Sequence, residues 1–241
     1  LEKKTLELAQ TNILVQQRNQ DLDQFAHIVS HDLKAPLRAI ANLSTWIEED
    51  LEGQINPETQ THLDLMRSRV VRMEAMINGL LEYARVGNTP ASLSTFSFED
   101  LLTEVIDSLS IPPSFEVDLP TNLPTITTNR ILLSQVFANL LGNACKHHDR
   151  PDGRIQITAQ PQGELWTFTV IDDGPGIAPE NQERVFGVFQ TLGARDNQEN
   201  TGIGLSIVKK IVENQGGNIV VESQLGRGTT FRFSWMKGMS K

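Results

Sequence analysis

Residues 30–37 read Ser30-His31-Asp32-Leu33-Lys34-Ala35-Pro36-Leu37. They sit in an apolar series, Phe25, Ile28, Val29, Leu33, Leu37, Ile40, Trp46 and Ile47. Its steps of three and four mark one face of a long helix. The stretch therefore places a histidine, a carboxylate and a cation on a helix that also contains a proline. Imidazole is a competent nucleophile once one ring nitrogen is free, and a carboxylate can hold the proton of the other. The pattern points to a histidine that is itself chemically modified. Pro36 leaves the Asp32 carbonyl without its usual donor and should bend the helix there. His27, one turn earlier, is followed by Ile28 rather than a carboxylate, so His31 is the favoured of the two.

The apolar series breaks at Glu52-Gly53-Gln54-Ile55-Asn56-Pro57, a turn composition. It resumes with Leu63, Met66, Val70, Met73, Ile77, Leu80 and Leu81 and ends near Tyr83-Ala84. Two long helices joined by a short turn make an αα-hairpin. Such a hairpin buries too little alone and is expected to pair with a second copy as a four-helix bundle. Upstream, Leu1, Leu8, Val15 and Leu22 fall seven apart in the polar stretch 1–24, as one seam of a coiled coil would. Asn12 and Asn19 occupy the companion positions, so a solvated helix fits this stretch as well as a signalling coiled coil.

Beyond Gly87-Asn88-Thr89-Pro90-Ala91-Ser92 the texture changes. Alternating runs at Phe115–Leu119, Arg154–Ala159, Leu165–Ile171, Asn218–Ser223 and Thr229–Trp235 predict strands. Helical patterns lie at about 98–109, 130–147 and 203–215. One sheet with helices on one face, an α/β sandwich, accommodates them. The expected organisation is α+β: a signalling helix over 1–24, a helical hairpin over 25–86, a linker over 87–95, a sandwich domain over 96–236 and a tail over 237–241. The polar, aperiodic run from Gln190 to Asn200 reads as a mobile loop beside a ligand site.

Composition narrows the function. The 241 residues carry a net charge of −9 without any run of Lys or Arg, which argues against a nucleic-acid binder and an anionic-membrane anchor. The lone Cys145 excludes an internal disulfide and fits a reducing, cytoplasmic compartment. No apolar stretch approaches the roughly 20 residues of a membrane span. A start at Leu1 rather than Met suggests a piece of a longer protein.

Three further motifs carry chemistry. Asn139, Asn143 and Lys146 or His147 share a helix face, where two amides and a cation suit anionic oxygens and a hard metal such as Mg²⁺. Taken alone they could equally be solvent-facing. Asp172-Asp173-Gly174-Pro175-Gly176 follows a strand. A carboxylate there can accept from an exocyclic amine while the glycines admit a planar ring, although the same composition also makes an ordinary turn. Thr201-Gly202-Ile203-Gly204-Leu205 opens a helix whose free N–H groups can hold phosphate. Gly226-Arg227-Gly228-Thr229-Thr230-Phe231 reads as a hairpin turn leading to an edge strand.

The order of these motifs resembles the ATP-binding domain shared by sensor histidine kinases, gyrases and heat-shock chaperone ATPases. With the Ser30–Leu37 segment upstream, the chain resembles the sensor histidine kinases of two-component systems over roughly 22–236. Phe189-Gln190-Thr191-Leu192-Gly193-Ala194-Arg195-Asp196 is similar to the subgroup attached to phytochrome-like photosensors. The resemblance implies His31 as phosphoacceptor and Asp32 as the acid that orients its ring. It implies Asn143 as the Mg²⁺-binding asparagine, with Asn139, Lys146 and His147 near the phosphates, and Asp172 as the adenine reader with Gly174, Gly176 and Ile177. Gly202 and Gly204 would form the phosphate turn beside Thr201, Ile203 and Leu205. Phe186 and Phe189 would precede the lid, and Thr230 would complete the site.

The implied activity is phosphoryl transfer from Mg·ATP to His31 and on to an aspartate of a response-regulator receiver domain. A homodimer and an N-terminal sensor module outside this chain are implied as well. Two departures stand out. Asn200 replaces a frequent glycine, and Asn tolerates left-handed backbone. Ala35 stands four after His31 where many relatives place Thr or Asn to position the water that dephosphorylates the regulator, so phosphatase activity should be weak. Two alternatives remain. One is a non-catalytic dimeric scaffold. The other is an ATP-hydrolysing relative, in which a carboxylate typically stands where this chain has Asn139, a side chain that cannot act as a general base.

Overall fold

The computed structural model describes residues 28–87, 92–120, 123–191 and 201–238. The expected signalling helix over 1–24, His27 and most of the expected loop, residues 192–200, lie outside them. Residues 28–87 belong to one compact unit, and residues 92–191 with 202–238 to a second. Among the described residues no helix is long and apolar enough to cross a membrane.

The first unit is the helical hairpin. Helix α1 spans residues 28–50 and continues through Pro36, and helix α2 spans Pro57–Arg85. Asn56 accepts the Thr59 N–H at 2.7 Å, and Pro57 fills the first turn, where a missing N–H costs nothing. At the turn end Glu48 joins the helices by accepting from Arg67 and, at 2.5 Å, from Gln60. The Arg67 hydrogen bond, then that of Gln60, holds the Glu48 carboxyl below the usual range. Arg38 and Glu74 make a second cross-link at 3.3 Å. Ser30 and Ser44 of α1 and Leu63 and Val70 of α2 are buried. The larger apolar side chains Leu33, Ile40, Leu43, Trp46 and Ile47 remain exposed, as do Leu65 and Met73 of α2. An apolar face of this extent is more than a soluble single hairpin normally leaves in water.

The second unit is built on a five-stranded sheet in the order β2-β4-β5-β7-β6. Its strands are β2 (Glu116–Asp118), β4 (Arg154–Gln162), β5 (Leu165–Asp172), β6 (Ile219–Ser223) and β7 (Thr229–Met236). Among the described residues only the β2–β4 pair is parallel. Helices α3 (Phe98–Ser108), α4 (Arg130–Lys146) and, after the one-turn helix α5 (Pro179–Gln182), α6 (Gly204–Asn214) pack over one face. The strand residues that point toward them, including Ile155, Ile157, Phe168, Val170, Phe233 and Trp235, are buried. Phe98, Phe137, Phe168 and Phe233 meet at centroid distances of 5.0–5.6 Å, the range of favourable tilted aromatic pairs.

The structure departs from the sequence reading in four places. A two-stranded antiparallel ladder, β1 (Ser94–Ser97) with β3 (Thr125–Thr128), was not expected. Both strands are short and Ser/Thr-rich, so apolar alternation gives no signal. Strand β1 also starts inside the stretch 87–95 assigned to a linker. Strand β7 is not an edge strand, because it pairs with β5 and β6 on its two sides. The expected tail is tied down at its start: Lys237 N donates to Glu164 O at 3.0 Å and Gly238 N to Thr127 O at 2.9 Å.

Candidate functional site

Asp172 ends β5 at the point where the sheet opens into the Asp-Asp-Gly-Pro-Gly loop. Its carboxylate accepts the Gly174 N–H at 3.0 Å and the Thr229 N–H. Burial pushes its pKa above the ordinary aspartate value, against the pull of those two donors. The β6–β7 turn clamps the loop from outside. Gly226 N donates to Pro175 O at 2.8 Å, and Ile177 N to Ser223 Oγ at 2.7 Å. Gly176, at φ +74°, lies so close to this turn that a methyl there would stand 2.2 Å from the Gln224 carbonyl. Gly228, at φ +87°, would place one 1.9 Å from the Asp172 carbonyl. The turn is thus the outer wall of the aspartate loop. Its threonine nearest the carboxylate is Thr229. Thr230 instead pairs with Ile171 on the opposite sheet face.

Across the domain, the polar face of α4 meets the start of α6. A methyl on Gly204 would lie 2.7 Å from Asn139 Oδ1 and 4.0 Å from Asn143 Nδ2. Asn139 is aimed by its own Nδ2, which donates to Gln135 O at 2.9 Å. Among the described residues no side chain caps α6 at Ile203, so its first N–H groups and the positive end of the helix dipole can serve an anion. Gly202, at φ +67°, packs on the Phe189–Gln190 backbone, and Thr201 and Leu205 on either side of the turn are half-buried.

The remaining expected residues take unequal positions. Lys146 is exposed in the last turn of α4, and His147 follows as its cap, donating N–H to Asn143 O at 3.1 Å. Surrounding protein, then the Lys146 charge, lowers the His147 pKa, which leaves the ring neutral at pH 7 although part of it is exposed. Phe186 packs edge-on against Phe231 with centroids 6.3 Å apart, and Lys209 Nζ lies 5.9 Å from its ring centre. Phe189 is exposed and holds a left-handed φ of +62°.

Sequence reasoning passed over one cluster. Asp173 Oδ1 accepts from Arg154 N at 2.7 Å and from His148 Nε2 at 3.0 Å, and its Oδ2 accepts from Arg150 Nη2 at 2.5 Å. Burial would raise the Asp173 pKa, but these donors outweigh it and hold the carboxyl at about 2. The doublets His147-His148 and Asp172-Asp173 were the available signal. In each, one member was singled out and the other was not.

On the hairpin, His31 Nδ1 and Asp32 Oδ1 are 3.3 Å apart, and both side chains are open to solvent, at 81% and 73% exposure. An Nδ1–H shared with Asp32 leaves the Nε2 lone pair free for attack. Ala35, also exposed, presents only a methyl one turn away.

Comparison with known proteins gives the same division. Residues 21–89 match the His Kinase A (phospho-acceptor) domain, and residues 128–238 the histidine kinase-, DNA gyrase B-, and HSP90-like ATPase. Cyanobacterial phytochrome B of Nostoc sp. is 37% identical over 96% of this chain, which spans 32% of that protein's length. Full-length ShkA, solved in complex with AMPPNP, superposes with a TM-score of 0.64 at 26% identity, over 90% of this chain and 47% of that one. The histidine kinase ThkA, solved with the response regulator protein TrrA, shares the fold at a TM-score of 0.60 and 21% identity, over 94% of this chain and 66% of that one.

Proposed function

Since the chain belongs to the sensor histidine kinases, with their phosphoacceptor and ATPase domains in succession, we propose that it autophosphorylates on His31 and passes the phosphoryl group to an aspartate of a receiver domain. The observation that carries the reading is the approach of the uncapped α6 N-terminus to Asn139 and Asn143 in the domain that also holds the buried Asp172. The Asp172 carboxylate accepts from the adenine amine. The α6 N–H groups, Asn139 and Lys146 hold the phosphates, because fixed donors and a cation match their charge. Asn143 supplies an amide oxygen for Mg²⁺, which neutralises charge on the phosphates when bound. The Gly204–Asn139 cleft, too narrow for a methyl, fits this use of the amides.

The chemistry at His31 balances simply. The Nε2 lone pair forms the N–P bond, the bond from the γ-phosphorus to its bridging oxygen breaks, and ADP leaves. Asp32 keeps its hold on Nδ1–H and stabilises the imidazolium that results, as a triad carboxylate does. The neutral imidazole is the nucleophilic form.

The exposed apolar face of α1 and α2 supports a homodimer through a four-helix bundle. Because the chain spans about a third of the phytochrome relative, a sensor module belongs N-terminal to it. A cytoplasmic location follows from the need for ATP and a receiver partner. Incubation with γ-labelled ATP tests the whole reading. Acid-labile, base-stable label should appear on the protein and vanish in His31→Gln, and label that persists in His31→Gln would overturn it.

A further inference from the structure

We propose that His148 and Asp173 act as a positioning pair that fixes the adenine-reading loop against the end of α4 and so sets the affinity for adenine nucleotides. The proposal rests on Asp172 and the α4 amides forming the nucleotide site. His148 stands beyond the cap of α4, five residues after Asn143 in the chain, and Asp173 is the immediate neighbour of Asp172. They meet across 25 residues of sequence through the 3.0 Å bond from Nε2 to Oδ1.

The His148 side of the pair is built into the domain, while Asp173 is half-exposed. The His148 side chain is only 1% exposed. Its ring stands edge-on to Phe115 at 5.2 Å. Two glycines make room for it, since a methyl on Gly153 would lie 2.9 Å from Nε2 and one on Gly174 would lie 3.4 Å from Cδ2. Gly174 is the residue whose N–H binds the Asp172 carboxylate, so the ring backs the loop where the base is read.

Charge fixes the direction of the His148–Asp173 bond. Asp173 is ionised at neutral pH, with its pKa at about 2, and an ionised carboxylate only accepts. Nε2 therefore carries the proton and donates. Nδ1 lies 3.1 Å from both the backbone N and the backbone O of Arg150, so the segment just past α4 engages this ring nitrogen as well. Arg150 also returns to Asp173 Oδ2 through its guanidinium. The segment 148–150 and the carboxylate thus lock each other, and Arg154 N closes the other side of Oδ1 at 2.7 Å. Neither His148 nor Asp173 reaches a reacting atom. Both act through Asp172 and Gly174.

A positioning role of this kind predicts a split in kinetics. His148→Ala removes the donor and opens a void under Gly174. It should weaken direct ADP binding about tenfold, near the 1.4 kcal/mol that a tenfold change represents, and raise the KM for ATP in step. The autophosphorylation rate at saturating ATP should stay within about twofold of the parent protein, because the groups that stabilise the transferring phosphoryl are untouched. His148→Gln keeps a donor at nearly the same reach and should recover most of the affinity. A thermal melt of each variant reports whether the domain is folded.

Equal ADP affinity in a folded His148→Ala would overturn the proposal, as would loss of kcat with KM unchanged. If His148→Ala does not fold, Asp173→Asn, which keeps the acceptor shape but removes the charge, takes its place. It should weaken ADP binding in the same direction, and unchanged binding would again overturn the proposal. The parent protein separates the two readings: failure of the parent to bind ADP at all would sink the nucleotide site itself, whereas binding in the parent without the split would sink only the pair.

Discussion

His31 Nδ1 and Asp32 Oδ1 stand 3.3 Å apart on the exposed side of α1. The pairing leaves one ring nitrogen occupied and the other available, which is the division of labour that nucleophilic transfer needs. Asp32→Asn keeps the size of the side chain but removes the charge that stabilises the imidazolium. Autophosphorylation at saturating ATP should fall by about 100-fold, at the low end of what a positioned acid–base partner supplies, with ADP affinity unchanged. Label incorporation over time, compared with a binding titration, separates the two quantities.

Asp172 should make nucleotide binding sensitive to acid. Its pKa is raised by burial, so it protonates at a higher pH than an ordinary aspartate, whose pKa is about 4. As pH falls through that raised value the carboxylate is lost and ADP affinity should drop. Protonation is favoured by the fold, so the apo domain does not lose stability from this group over the same interval. Asp172→Asn should bind ADP about tenfold more weakly at pH 7, the cost of a charge-assisted hydrogen bond. Its affinity should then vary less than that of the parent as pH falls below 7 toward the ordinary aspartate range, as read by calorimetric titration.

Two glycines near the same helix should respond oppositely to alanine. In Gly204→Ala the methyl stands 2.7 Å from Asn139 Oδ1, so the amide must leave its place opposite the α6 N-terminus. Weaker Mg·ATP binding with a nearly unchanged melt is expected. In Gly142→Ala the methyl meets only Leu109 Cδ2, at 3.7 Å, inside helix α4. This variant should gain about 0.5–1 kcal/mol, the usual helix-interior difference, with no change in nucleotide affinity.

The apolar surface of α1 should hold two chains together. Ile40 and Ile47 are 40% and 44% exposed in the single hairpin. Replacing both by Glu places charges where a dry interface would form. Light scattering should then report half the parent mass, while ADP binding in the second unit is retained. A dimer of undiminished stability would place the interface elsewhere.

Ala35 should limit the reverse reaction. Ala35→Thr adds a hydroxyl one turn from His31, able to hold a water near a phosphorylated receiver. Added to a receiver labelled by the parent protein, this variant should accelerate release of inorganic phosphate, whereas the parent should release little.

Much of this chain is legible before folding. The strands at Arg154, Leu165 and Thr229 begin where their alternation begins, and the hairpin turn lies where Gly53 and Pro57 interrupt the helical period. Strands β1 and β3 were missed because Ser and Thr on a short ladder carry no apolar alternation. Strand β7 was misplaced because a Gly-rich turn announces a hairpin without saying whether the next strand has one neighbour or two. Thr229 and Thr230 are identical in sequence and differ only in the sheet face they occupy.

By itself the sequence determined which chemistries are present and their order along the chain: a nucleophile with its acid, amides on a helix, a carboxylate after a strand, glycines before a helix. Those are local properties, set by residue type and spacing. Only the tertiary structure decided which of them meet. The approach of Gly204 to Asn139, the packing of Gly228 on Asp172 and the bond from His148 to Asp173 all depend on the order of strands and the seating of helices over them. That order follows from how the whole apolar face is buried, a condition that no single segment contains.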